Sequence, residues 1–118
     1  MVTTDFLKYV SLMYDKVRFP VQVAEQSGRI VYINEAFTIL WGYHIDELAE
    51  YSIFNDSVLK ENKAIQKIME VLNGKTYTAV DYYEDSLLRS REYAIPILRT
   101  NIFLIKDEDE PYIVMYHE

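Results

Sequence analysis

The sequence predicts an α+β domain in which an antiparallel sheet of about five strands carries short helices on one face and a further helix at the N-terminus. Three observations lead to this fold class. A chain of 118 residues fits one domain with a single core. β-prone runs flank a central group of helical patterns. Residues 30–43 contain a strand, a helix cap and a short helix in direct succession, and the other elements are arranged around this stretch.

The central stretch predicts a short helix with both ends marked, directly after the apolar run Ile30–Ile33. Asn34 is a favoured N-cap residue, because its side-chain oxygen can accept a hydrogen bond from a first-turn amide. Gly42 lies where a helix needs a left-handed C-terminal residue. Phe37 and Leu40–Trp41 are three and four positions apart and therefore share one face.

Residues 1–19 are predicted to form a capping or dimerisation helix ahead of a domain that covers residues 20–118. Thr3 or Thr4 can cap this helix, and Pro20 requires it to end earlier. Its apolar positions are four, three and four residues apart, which is a short heptad pattern. They are Phe6, Val10, Met13 and Val17.

This apolar pattern has two interpretations, which are compatible with each other. The helix packs on the protein's own sheet, or it forms an interface with a second copy. Two heptads alone rarely hold a coiled coil, so a dimer would need the sheet as well.

Two β-prone runs, Val21–Gln26 and Arg29–Ile33, flank Ser27-Gly28 and predict a hairpin. The last third of the chain returns to the period of strands, which are predicted over Thr76–Leu88, Glu92–Ile105 and Pro111–Tyr116. Pro96 has no amide to donate and is expected at an edge or a bulge. The two connecting turns, Arg89–Arg91 and Lys106–Glu110, are charged or polar and contain no glycine.

A longer helix is predicted over about Val58–Leu72, after a short helical turn within Tyr43–Leu48. Asp56 or Ser57 can cap it, and Asn73-Gly74 ends it. Its apolar positions recur at the spacing of one helix face. They are Ile65, Ile68, Met69 and Leu72.

Composition restricts the function. The net charge of -7 repels phosphate backbones, so no direct contact with nucleic acid is expected. The chain has no cysteine, which excludes disulfides, thiolate metal sites and cysteine nucleophiles and is compatible with a reducing cytoplasm. No apolar run approaches the length of a membrane span, and the N-terminus does not resemble a signal peptide. We therefore expect a cytoplasmic domain without membrane contact.

Catalysis by this domain is not expected. The two histidines, His44 and His117, are far apart in the sequence, and no cysteine complements them as a metal ligand. His44 is interpreted as a surface residue that opens a turn, and His117 lies near the chain end. The acidic run Asp107–Glu110 is interpreted as a solvated hairpin tip. The sequence contains no phosphate-binding glycine loop, nucleophile elbow or His-Glu-x-x-His motif.

The pattern Asn-x-x-Phe-x-x-x-x-Gly-Tyr over residues 34–43, preceded by Ser-Gly-Arg-Ile-Val-Tyr-Ile, resembles the PAS domain family of sensory modules. The resemblance covers about Pro20–Glu118. It implies a sensory or regulatory domain of a bacterial or archaeal signal-transduction protein, such as a sensor histidine kinase, a cyclic-dinucleotide enzyme or a transcriptional regulator. Such a domain binds a small ligand or a partner domain and relays a conformational change to an output. This chain has Trp41 where PAS sequences often carry Thr or Ser.

The resemblance also implies partners and cofactors. PAS domains commonly form homodimers through an N-terminal helix, and their output domain lies in cis or in a partner protein. The absence of cysteine excludes the cysteinyl-flavin and thioester-chromophore branches. The predicted helix Val58–Leu72 has no histidine, so haem held from that helix is not expected. A small organic ligand or a non-covalent flavin remains, and Trp41 would either stack on a flat ring or fill the core.

A mostly apolar pocket with a few polar groups is therefore predicted. Its candidate residues come from the short helix, the long helix and the following strand. They are Phe37, Leu40, Trp41, Ile65, Met69, Ile97, Arg99 and Asn101.

Arg99 is the most informative of the pocket candidates. Strand alternation places Ile95, Ile97 and Asn101 on its face, and Leu98, Thr100 and Ile102 on the other, unless a bulge at Pro96 breaks the parity. An inward Arg99 would hold a carboxylate ligand bidentately. The alternative places Arg99 on the outer face or at a dimer interface.

Two other function classes remain open. One is a ligand-free dimerisation scaffold of the same fold, with side chains filling the interior. The other is a small open-cone α+β enzyme, which is disfavoured because the chain lacks a convergent set of acid and base groups.

Overall fold

A five-stranded antiparallel sheet forms the centre of the fold, in a computed structural model that describes residues 2–56, 59–60, 63–81 and 99–118. Its strands are β1 (Val21–Ala24), β2 (Ile30–Ile33), β3 (Thr78–Asp81), β4 (Arg99–Asp107) and β5 (Glu110–His117), in the spatial order β2-β1-β5-β4-β3. The helices are α1 (Thr4–Tyr14), α2 (Glu35–Trp41) and α3 (Ala64–Leu72), with 3-10 turns at Ile45–Leu48 and Ile53–Asn55. The predicted α+β fold class is confirmed.

The strands place alternate side chains on opposite faces of the sheet, and both faces are covered. On the inner face, Ile102 and Ile113 pack with residues of α2 and α3 such as Phe37 and Ile68. On the outer face, residues of β1 and β5 pack with α1 in a separate apolar cluster. Each face therefore has its own core.

Helix α1 is attached to the outer face by its predicted apolar residues. The side-chain oxygen of Thr3 caps it by accepting from the amide of Phe6 at 3.0 Å. Phe6 stacks on Tyr112 with ring centroids 4.2 Å apart, and burial of such a side chain stabilises the fold by roughly 2–3 kcal/mol. Helix α1 ends at Tyr14, three residues before the end of the predicted heptad pattern at Val17.

The hairpin between β1 and β2 needs a glycine at its turn. Gly28 has a φ of +94°, and a Cβ atom there would lie 2.3 Å from Oγ of Ser52 and 2.6 Å from the ring of Phe54. The carbonyl oxygen of Gly28 accepts from the amide of Ile53 at 3.1 Å. The turn therefore packs closely on the 3-10 turn at Ile53–Asn55, and β1 ends at Ala24 rather than at the predicted Gln26.

Both ends of α2 agree with the prediction. Oδ1 of Asn34 accepts from the amide of Phe37 at 3.0 Å, and Gly42 has the left-handed φ of 79°. The helix predicted over Val58–Leu72 is not continuous. Leu59 and Lys60 are helical, and Oδ1 of the predicted cap Asp56 accepts from the amide of Leu59 at 3.3 Å. Lys63, however, has a φ of 69°, which the interior of a helix does not accommodate, and α3 begins at Ala64.

The β4–β5 hairpin has a two-residue loop without glycine. Asp107 pairs with Glu110, and the two residues between them, Glu108 and Asp109, have positive φ values of 49° and 70°. Paired positive φ values define a type I′ turn, which normally contains Gly or Asn.

Several predictions lie outside the described residues. They concern the end of the strand Thr76–Leu88, the turn Arg89–Arg91, the start of the strand Glu92–Ile105, Ser57, Val58, Ile95, Pro96, Ile97 and Leu98. Among the residues that are described, every helix is too short or too polar to span a lipid bilayer.

Candidate functional site

The apolar pocket residues predicted on α2 and α3 are partly brought together. Phe37 and Trp41 are fully buried in the inner core, with ring centroids 4.5 Å apart. Leu40 and Ile65 are half-buried and pack against the same core. Met69, in contrast, is 45% exposed.

The exposure of Met69 follows from the orientation of α3. The residues of α3 buried against the sheet are Ala64, Ile68 and Val71, at the spacing i, i+4 and i+7. Met69 lies about 100° around the helix from Ile68, so it turns away from the sheet. Of the predicted apolar positions of this helix, Ile68 is buried, and Ile65 and Leu72 are half-buried against the inner core. The prediction is wrong for Met69, because apolar spacing alone does not separate the buried side of α3 from the side next to it.

Arg99 and Asn101 are not brought together with Phe37 and Trp41. Arg99 is exposed, and Asn101 lies on the same side of β4 as Phe103, which packs in the outer core. The Nδ2 group of Asn101 donates to Oε2 of Glu118 at 2.8 Å, and its Oδ1 accepts from the hydroxyl of Tyr77. The alternative placement of Arg99, on the outer face, is the one observed.

The inner face carries a different group of buried polar side chains, here called the inner polar cluster. Oγ1 of Thr100 on β4 lies 2.9 Å from Nδ1 of His117 on β5. The ring of Trp41 contacts that of His117 edge-on, with centroids 5.2 Å apart. Nε2 of Gln22 on β1 donates to Sδ of Met115 at 3.3 Å. The cluster therefore consists of Thr100, His117 and the indole N–H of Trp41, all of them buried, and Gln22 is a further buried polar residue of the sheet.

Solved structures resemble this arrangement of helices and sheet. The PAS domain from Bordetella pertussis BvgS matches with a TM-score of 0.69 at 15% identity, over 97% of this chain and 85% of that chain. The PAS domain of an HTR-like protein from Haloarcula marismortui matches with a TM-score of 0.62 at 16% identity, over 97% and 91%. A PAS domain from a two-component sensor histidine kinase gives 0.62 at 10% identity, over 97% and 95%. The chain has the PAS fold.

These structures are less than 25% identical to this chain, so the similarity shows the fold alone. No protein-family model matches the chain, and no curated protein does. The resemblance found in residues 34–43 is confirmed as a PAS fold, and the inner polar cluster lies between the helices and the sheet of that fold.

Two of the four residues predicted at a dimer interface pack against the sheet of their own chain instead of a second copy. Phe6 and Val10 are buried in the outer core of their own chain, so they are unavailable to a partner and the prediction is corrected for both. Val17 is half-buried against the same core, and Met13 is 41% exposed. The side of α1 that faces away from the sheet carries other residues.

Burial controls the protonation of the inner polar cluster. Desolvation lowers the pKa of His117 to about 3, so its imidazole is neutral at neutral pH. A neutral imidazole has one donor and one acceptor nitrogen, and the hydroxyl of Thr100 can serve either role. The cluster is therefore an uncharged hydrogen-bonding group within an apolar interior.

The indole N–H of Trp41 adds a donor to this group. It has no hydrogen-bond partner among residues 2–56, 59–60, 63–81 and 99–118. A buried donor without an acceptor destabilises a fold by about 1–3 kcal/mol, so an acceptor placed beside it would bind favourably. Within the same residues, no three acidic or histidine side chains form a group that could hold a metal ion.

Sequence reasoning missed His117 and Thr100 for one reason. The sequence places His117 only near the chain end, although this residue continues the inner-face series of Ile113 and Met115 at intervals of two. Its register partner in β4 is Thr100. The alternation of β5 was the signal that would have identified both residues.

Proposed function

We propose that this chain is a sensory or regulatory module of a signal-transduction protein. It binds a small organic ligand or a partner domain and passes a conformational change to an output. The observation that supports ligand binding most directly is the inner polar cluster, which is buried between α2 and the sheet among apolar side chains. Ligand sites in proteins combine apolar walls with a few placed polar groups in this way.

The composition of the cluster suggests the chemistry of the ligand. The indole N–H of Trp41 offers a donor, while Thr100 and the neutral His117 offer both donor and acceptor atoms. The cluster contains no charged group, so a neutral, largely apolar molecule with a carbonyl or ring-nitrogen acceptor fits it better than an anion does. The neutral ring system of a non-covalent flavin belongs to this chemical class.

The cluster lies where the end of β5 pairs with the start of β4. Thr100 and His117 face each other across β4 and β5, and the amide of the next residue, Glu118, donates to the carbonyl oxygen of Arg99 at 2.9 Å. A ligand that binds two conformations with different affinity shifts their populations. A change at Thr100 and His117 would reach the end of β5 through these neighbouring bonds.

The remaining parts of the proposal concern the context of the domain. We expect a cytoplasmic homodimer whose output, such as a histidine kinase, lies in cis or in a partner protein. The module itself would carry out no catalysis, would not contact nucleic acid or membrane, and would use residues 1–19 to cap the domain of residues 20–118.

Mass spectrometry of the purified chain under native and denaturing conditions tests ligand binding. An excess mass that is lost on denaturation supports the sensory module, and an absorption spectrum separates a flavin from a colourless molecule. Trp41→Phe keeps the aromatic bulk and removes the N–H group, so we expect a smaller bound fraction. Arg99→Ala is the matched control, because Arg99 is exposed, and it should leave the bound fraction unchanged.

A ligand-free PAS dimerisation scaffold is the second candidate, and one observation favours it. Phe37 and Trp41 are fully buried and in mutual contact, so they occupy part of the interior themselves. A dimer without excess mass, together with unchanged thermal stability when flavin or flavin-like compounds are added, would favour the scaffold over the sensor.

A further inference from the structure

An open cleft of about 440 Å³ lies between the C-terminal end of α3 and the tip of the β4–β5 hairpin, and it is called the hairpin cleft below. Leu72 and Leu104 are half-buried there, because each packs against the inner core and also lines the cleft. Val71 and Pro111 complete its apolar walls. Small-molecule sites in proteins are commonly about 300–1,000 Å³ in volume, so the cleft can hold a small organic ligand.

The hairpin cleft is separate from the inner polar cluster. Successive strand residues are about 3.3 Å apart, so Leu104 lies about 13 Å along β4 from Thr100, and Lys106 lies about 20 Å from it. Thr100, His117 and Trp41 do not line the cleft. A ligand in the cleft would therefore occupy the opposite end of β4 from a ligand at the inner polar cluster.

Two lysines line the hairpin cleft from different elements. Lys75 follows α3, and Lys106 takes the next inner-face position of β4 after Leu104. Asp109 is the one acidic residue among the described residues that line the cleft, so two positive charges stand against one negative charge. The whole chain has a net charge of -7. This local excess of positive charge on an acidic protein favours the binding of an anion.

Glu70 competes with such an anion for Lys75. Its Oε1 atom lies 3.8 Å from Nζ of Lys75, and its Oε2 atom lies 3.6 Å from Nζ of Lys67. Ion pairs between exposed side chains contribute little to stability, so the pair with Lys75 opposes a bound anion only weakly.

The end of α3 also places carbonyl oxygens near the cleft, and carbonyl oxygens repel anions. Two of them already accept hydrogen bonds. The carbonyl oxygen of Glu70 accepts from the amide of Lys75, and that of Val71 accepts from the amide of Gly74, both at 3.1 Å. These bonds reduce the negative potential at the helix end, so the two lysines dominate the charge of the cleft.

We propose that the hairpin cleft binds a small monocarboxylate with an apolar body, such as an aromatic or short-chain carboxylate. The flexible stems of Lys75 and Lys106 let both ammonium groups reach one carboxylate, and the hydroxyl of Thr76 offers a further donor. The apolar body packs on Leu72 and Leu104. This site goes beyond the proposed function, because it is a second site and takes an anion instead of a neutral molecule.

Titration of the full chain with para-fluorobenzoate, followed by fluorine NMR, tests the proposal. The probe combines one carboxylate with one apolar ring, and its fluorine signal reports binding directly. We expect saturable binding at low salt that weakens as salt is added, because salt screens exposed charges. An absence of saturable binding at low salt would overturn the proposal.

Replacement of the lysines tests their role. Lys75→Met and Lys106→Met keep the apolar stem and remove the charge, so each should weaken para-fluorobenzoate binding severalfold, with unchanged circular dichroism. Lys8→Met is the matched control, since Lys8 is exposed on α1 at the outer face and its replacement changes the net charge equally. Equal weakening by all three variants would attribute the effect to net charge and refute the site.

Asp109→Asn should change the affinity in the opposite direction. It removes the lining carboxylate, and asparagine tolerates the positive φ of 70° at this position. Glu108→Gln removes the same charge from the neighbouring residue, which does not line the cleft. We expect tighter binding of para-fluorobenzoate for Asp109→Asn and a smaller change for Glu108→Gln. Weaker binding for Asp109→Asn would contradict an anion beside Asp109.

Backbone amide chemical shifts of labelled protein locate the bound probe. The largest changes are expected at Leu72, Lys75 and Lys106. If they occur at Thr100 and His117, the carboxylate occupies the inner polar cluster, and this proposal fails while the sensory module gains support. Binding in the hairpin cleft without an excess mass in native spectra would support this proposal and count against the ligand of the proposed function.

Discussion

Nδ2 of Asn34 donates a hydrogen bond to the carbonyl oxygen of Phe19, 3.0 Å away, and thereby connects the cap of α2 to the segment between α1 and β1. The same nitrogen donates to the carbonyl oxygens of Tyr14 at 3.1 Å and Val17 at 3.4 Å. Oδ1 accepts from the amides of Val21 at 2.9 Å and Phe37 at 3.0 Å. One buried side chain therefore joins α1, β1 and α2.

This arrangement predicts that Asn34→Asp destabilises the protein, although aspartate is itself a good N-cap. The carboxylate keeps the acceptor but replaces the amide donor with an oxygen that faces three carbonyl oxygens. We expect a loss of about 2–4 kcal/mol in the free energy of unfolding, measured by urea denaturation. Asn55→Asp is the control, because Asn55 is exposed, and a similar loss in both variants would contradict the role of Asn34.

A second prediction concerns Gly28, where backbone conformation and close packing both require glycine. Gly28→Ala introduces a Cβ atom 2.3 Å from Oγ of Ser52 in addition to the strain of a positive φ, so we expect a loss of about 3 kcal/mol or more. Gly74 has a φ of +113° with open space around it. Gly74→Ala should therefore lose only about 1 kcal/mol, and equal losses would exclude a contribution from packing.

Local features of the fold could be predicted from the sequence, because their causes lie a few residues apart. Asn34 and Gly42 mark α2 through hydrogen bonds and dihedral angles within the helix itself. The apolar spacing of Phe6 and Val10 likewise predicts which side of α1 is buried, although it does not decide whether a sheet or a second copy covers that side.

The candidate site was harder to predict, because it depends on which face of each strand meets the helices. If the faces of β4 are assigned one residue out of step, Arg99 and Asn101 face the helices in place of Thr100 and Ile102. The apolar pattern of β4 is compatible with both assignments. The register between Thr100 and His117 decides the matter, and such a register depends on contacts distant in sequence. Trp41 lies in the inner core beside Phe37, as their spacing of four residues on one side of α2 predicts.

The β4–β5 turn provides a third prediction. Asp109 has a φ of 70°, which glycine adopts without strain. Asp109→Gly should raise the free energy of unfolding by about 0.5–1 kcal/mol, while Asp109→Ala, which removes the same charge, should lower it. A rise for both variants would indicate that relief of charge repulsion in the acidic turn, rather than backbone strain, explains the effect.

The buried histidine provides the last prediction, which concerns stability below neutral pH. Burial lowers the pKa of His117 from 6.5 to about 3, so between these values the unfolded chain binds a proton that the folded chain does not. Stability contributed by the neutral imidazole is present above pH 6.5 and is lost as the pH falls towards 3, with a slope of up to about 1.4 kcal/mol per pH unit.

His117→Gln removes this titration, so the variant should lose less stability than the wild type between pH 7 and pH 4 in urea titrations. Parallel pH profiles for the wild type and His117→Gln would show that His117 is accessible to protons in the folded protein, and the uncharged inner polar cluster would then no longer explain the preference for a neutral ligand.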